Sequence, residues 1–135
     1  MRYLLIFFLL ILIEPCYSQF FVGDTKETVK SALQKKNIKF TESKVTDTTN
    51  RISWLVENEY QVIWVLDLHD SVIRQTIIPE KENGANELVK WFNRDFVVIS
   101  PAEWRNYADG RIYKIQLEYI LRESLFSVTL IPRPK

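Results

Sequence analysis

A chain of 135 residues has room for one ordinary domain, or for two very small modules that share a core. It is 47% hydrophobic and 26% charged, which excludes a disordered chain. Lys and Arg number 18 against 17 Asp and Glu, so the net charge of +1 offers no broad field for a phosphate backbone, and no nucleic-acid partner is expected. One Cys and one His leave little material for metal or thiol chemistry, so no metal and no cofactor is expected either.

Met1-Arg2-Tyr3 is followed by the apolar residues 4–13, closed by Glu14 and Pro15. The run is shorter than the ~20 residues of a membrane span and fits the core of a secretory signal. Cys16-Tyr17-Ser18 sets small residues at the third and first positions before a cut after Ser18. Residues 1–18 are therefore expected to be a cleaved signal peptide, leaving no transmembrane span and an exported protein, periplasmic or extracellular. Lipid attachment at Cys16 is the competing reading, but Ile13-Glu14-Pro15 carries a charge and a proline where a lipobox has small or branched residues. Cleavage also removes the only Cys. A small secreted domain without disulfides fits a bacterial envelope better than a eukaryotic exterior.

The first predicted helix covers residues 24–36, with Asp24 as cap, Glu27 reaching back, and a buried stripe of Val29, Ala32 and Leu33. Residues 38–40 start extended chain. Strands are predicted over residues 51–56, 60–68 and 72–78, ended by Pro79. Val62, Trp64, Leu66 and Leu68 share one face of the middle strand, with Ile63 and Val65 on the other, so both of its faces are expected to be covered. A second helix covers residues 84–94 on the stripe Ala85, Leu88, Val89 and Phe92. Short strands follow at residues 96–99 and 103–107. Asp109-Gly110 marks a hairpin, and Tyr113, Ile115, Leu117 and Tyr119 then alternate with polar residues. Arg122-Glu123-Ser124 is read as a turn before Phe126, Val128 and Leu130. Helix then strands, twice over, predicts an α+β protein of two similar units, residues 19–79 and 80–135. Each unit would pack one helix on an antiparallel sheet of three or four strands, the two forming one compact domain through an internal repeat of pattern.

The run Gly23-Asp24-Thr25-Lys26-Glu27-Thr28-Val29-Lys30, with Leu33, resembles the opening helix of small exported bacterial modules. These are of the β-lactamase-inhibitor-protein-like and outer-membrane-assembly lipoprotein (BamE-like) types. The resemblance implies a helix against an antiparallel sheet and a role in protein binding in the envelope. The chain departs from the pattern in lacking a lipobox and a Gly-x-Pro after the helix, and no binding residue carries over.

Asp67 and His69 are the one place where a carboxylate and the sole His share a strand face, as half of a triad or of a metal site would. The chain offers no further His or Cys to complete either, so a polar hairpin turn is the expected reading. These two residues are the only catalytic candidates and would centre a small hydrolase-like enzyme. Trp54, Tyr60, Trp104, Arg105 and Tyr107 lie near strand ends and are the residue types that dominate protein-binding hot spots. They are the expected binding surface, with Trp104 on an exposed edge strand between Pro101 and the Asp109-Gly110 turn. Stacking on sugar rings in a carbohydrate-binding module is the further alternative. The favoured reading is an exported, non-catalytic binding or envelope-accessory protein whose partner is another envelope or extracellular protein. The sequence leaves its oligomeric state open.

Overall fold

The computed structural model describes residues 20–46, 49–56, 59–108 and 110–134, without the side chains of residues 45 and 54–56. The expected signal peptide, residues 1–18, lies outside the described residues.

Helix α1 spans Lys26–Lys35, and its cap is Thr25 and not Asp24. Thr25 Oγ1 accepts from the Thr28 amide at 3.3 Å, whereas the Asp24 carboxylate is taken by Arg111 Nη1 at 2.8 Å. Asn37 ends the helix at φ 53°, where the amides of Asn37 and Ile38 bond back to the carbonyls of Gln34 and Leu33. That double return satisfies carbonyls the helix leaves free, and Asn tolerates the left-handed position it requires. Val29 and Leu33 are the buried residues of α1, as the stripe predicts.

The strands are β1 (Thr41–Thr46), β2 (Thr49–Val56), β3 (Tyr60–Leu66) and β4 (Val72–Pro79). Helix α2 (Gly84–Asp95) follows, then β5 (Val97–Ser100), β6 (Glu103–Ala108), β7 (Arg111–Ile120) and β8 (Glu123–Leu130). The eight strands among the described residues belong to one antiparallel sheet in the order β1-β2-β3-β4-β8-β7-β6-β5. This corrects the expected pair of similar helix-on-sheet units. Gln75↔Val128, Thr76↔Ser127 and Ile77↔Phe126 join β4 to β8, so the sheet runs unbroken across the expected boundary. A helix with four strands buries too little surface alone, and the merged sheet gives both helices one shared core.

That core contains Val29 and Leu33 of α1, Leu88 and Phe92 of α2, and Ile52, Val62, Trp64, Ile77, Trp104, Ile115, Phe126 and Val128 from one face of the sheet. The entering segment Phe20, Phe21 and Val22 is buried with them. The segment is fixed at both ends. The Gly23 amide donates to the Val72 carbonyl and the Val72 amide to the Asp24 carbonyl, and the Phe21 amide donates to Gln75 Oε1 at 3.2 Å. Gln75 itself is wholly buried. Arg111 reaches back from β7 to Asp24 and the Val22 carbonyl. Among the described side chains, those of β1 and β5 contribute none to the buried cluster.

Candidate binding edge

The Asp67–His69 pair folds as a turn. Asp67 Oδ1 accepts from the amides of His69 at 2.9 Å and Ser71 at 3.0 Å, so the carboxylate closes the β3–β4 connection. The Ser71 amide, then that of His69, holds the Asp67 carboxyl below its ordinary range. The His69 group that bonds to Asp67 is its backbone amide, which donates to the carboxylate, and His69 is exposed. Among the described residues no three His, Cys, Asp or Glu side chains come together as a metal site needs.

The aromatic candidates divide. Trp104 is 0% exposed, which corrects the expectation of a surface Trp. Its strand, β6, is not an edge, because β5 and β7 pair on either side. The indole packs on Phe92 and Phe126 with ring centroids 5.4 and 6.1 Å away, and its Nε1 donates to Asn93 Oδ1. Tyr60 is likewise buried, its hydroxyl donating to Glu87 Oε2 at 3.4 Å. Trp54 pairs with Val62 through its backbone, and its side chain lies outside the described residues. Arg105 is half-buried and bonded to Glu103, while Tyr107 is 59% exposed. Strands β2 and β6 stand on opposite sides of the β4–β8 junction, so the five residues do not form one patch. Arg105 and Tyr107 remain beside each other on β6. Their neighbour Val97 pairs with Arg105 on the outermost strand.

That outermost strand carries what sequence reasoning passed over. Val97, Val98 and Ile99 of β5 are each about half exposed. One row of paired residues crosses the whole sheet: Glu42, Ile52, Trp64, Gln75, Val128, Ile115, Trp104 and Val98. Its six interior members are buried. At the β1 end the row closes on a charge: Glu42 is ion-paired with Lys26 and Lys30, and the bond from Lys26 holds its carboxyl low. At the β5 end it stops at Val98, with no charged side chain on the strand. Sheets ordinarily blunt a free edge with charge, proline or a bulge. Strand β1 has Glu42, Lys44 and a register shift, whereas β5 has only a register shift between Val98 and Ser100. The signal legible in the sequence was the uncharged run Val97-Val98-Ile99, bounded by Asp95 and Pro101.

No family model matches the chain, and no curated protein or solved structure matches it. No helix among the described residues is long and apolar enough to cross a membrane.

Proposed function

We propose that the protein is an exported, non-catalytic binding or envelope-accessory protein, and that its partner is another envelope or extracellular protein. The observation that carries the reading is the uncharged β5 edge, where Val97, Val98 and Ile99 are each about half exposed. Half-exposed aliphatic side chains in succession along one uncharged outer strand, with Arg105 paired to Val97, have the composition of a protein-binding edge. Two features weigh against the other readings. The Asp67 carboxylate is spent on its own turn, and Trp104 is enclosed in the core where no sugar ring can stack. Export rests on the signal-like residues 1–18.

Site-specific photo-crosslinking in cells exporting the chain tests this. A photoreactive residue at Val97 should yield a discrete protein adduct that the same group at Thr41, on the guarded edge, does not. Equal labelling from both edges, or none from Val97, contradicts the assignment. Mass spectrometry of the exported chain should find Gln19 at its N-terminus, and lipid on Cys16 would contradict the processing.

A further inference from the structure

We infer that the β5 edge takes its partner by strand addition: an extended, uncharged, β-branched segment of another polypeptide hydrogen-bonds to the free backbone of Val97–Ser100 as a ninth strand. This rests on the binding reading above and names the class of partner. An edge strand presents a row of unpaired backbone donors and acceptors, and a chain laid along it gains affinity from those bonds and specificity from alternate side chains. Both contributions can be read from β5. Val98 continues the buried row that runs through Trp104 and Ile115, so the incoming side chain beside it must be apolar. Val97 lies next to Arg105 on the other face, where a polar or apolar residue fits. No charged side chain stands on β5 to repel or to demand a charge in the ligand.

A second copy of this chain is a poorer occupant. Three half-exposed aliphatic side chains supply roughly 200–300 Å² per copy, and β5-to-β5 pairing falls well below the ~1,200 Å² of a stable interface. A short extended segment asks for less apolar area than a folded copy, because it binds through backbone hydrogen bonds along a single strand.

The test uses the exported chain and two synthetic peptides, an acetylated and amidated KTVVITK and the same peptide N-methylated at alternate residues. The second keeps the side chains and loses the strand hydrogen bonds. Chemical-shift changes are followed by NMR. The first peptide should shift the amides of β5 and β6 and leave β1 and β2 unmoved. N-methylation should weaken it by at least about tenfold. Val97→Lys with Ile99→Lys should abolish the shifts while the rest of the spectrum stays in place.

Equal binding of both peptides overturns strand addition and leaves an apolar binding surface standing. Binding of neither peptide up to several times millimolar also overturns strand addition, and the crosslinking at Val97 then judges the binding reading by itself. A doubling of the solution mass that the double Lys variant removes would overturn the choice of occupant in favour of a second copy.

Discussion

The indole Nε1 of Trp104 donates to Asn93 Oδ1 at 2.8 Å, tying β6 to the last turn of α2. The same indole lies against Phe92 and Phe126, so one side chain joins helix, β6 and β8. Trp104→Ala should cost about 3–5 kcal/mol, as truncation of a buried large aromatic does. Asn93→Ala should cost about 1 kcal/mol for the lost bond. In the double variant the Asn93 effect should vanish, since its donor is already gone. Urea denaturation of the three variants measures this. A Trp104→Ala protein with a wild-type midpoint would contradict the packing.

Gln75 is the one wholly buried amide in the described core, and it accepts from the Phe21 amide while its Nε2 is without a partner. Gln75→Ala should lose about 2–4 kcal/mol through the cavity and the orphaned Phe21 amide. Gln75→Met fills most of the volume and removes the unpaired Nε2, so it should cost less than the Ala variant. Hydrogen exchange at Phe21 should speed up in both. Unchanged exchange there would show that the entering segment is held by other contacts.

The acid limb of the stability profile follows from two carboxylates. The bond from Lys26 lowers Glu42, and the amides of Ser71 and His69 lower Asp67. Each therefore stabilises the fold above the ordinary carboxylate range, and this is lost as pH falls through the folded value. Lys26 is raised, chiefly by the bond to Glu42, so its share is present below its ordinary range and lost as pH rises through the folded value. Urea midpoints between pH 3 and 7 should fall less steeply for Glu42→Gln and Asp67→Asn than for the native chain. His69→Ala, at an exposed turn, should shift Tm by less than about 2 °C. Tight zinc binding lost in that variant would contradict the turn assignment.

The β7–β8 turn holds non-glycine residues where glycine is usual. Ile120 pairs with Glu123, and both intervening residues, Leu121 and Arg122, have positive φ of 50° and 68°. Leu121 is 92% exposed. Two-residue hairpins of this kind favour Asn-Gly, because the left-handed conformation crowds Cβ against the following carbonyl, which Gly avoids and Asn offsets by a local hydrogen bond. Leu121→Asn with Arg122→Gly should raise stability by about 1–2 kcal/mol, read from the urea midpoint. A loss would mean that the leucine makes a stabilising contact.

The parts of the fold written in local periodicity were legible in the sequence. The stripes ending in Leu33 and Phe92, and Val62, Trp64 and Leu66 of the predicted alternation, face the core, whereas Leu68, expected with them, lies beyond β3 and is exposed. Strand β1 was missed beyond its approach because Thr41-Glu42-Ser43-Lys44 carries no apolar alternation to reveal it. The joining of β4 to β8 was missed because a pairing between residues so far apart leaves no local pattern. Trp104 was misplaced for a related reason. Its strand neighbours Ala102 and Asn106 make a face poor in apolar residues, while the rings that enclose it, Phe92 and Phe126, come from elsewhere in the chain. The binding edge shifted with it, from Trp104 to the outermost strand.

Whether β5 is the binding edge is decided by partner recovery with the exported chain and two edge variants of matched Tm. Val97→Lys with Ile99→Lys places charge on the bare edge, and Thr41→Lys adds it to the edge that already carries Glu42 and Lys44. The partner crosslinked at Val97 should be lost from the first variant and kept by the second. Equal recovery by both would contradict that assignment.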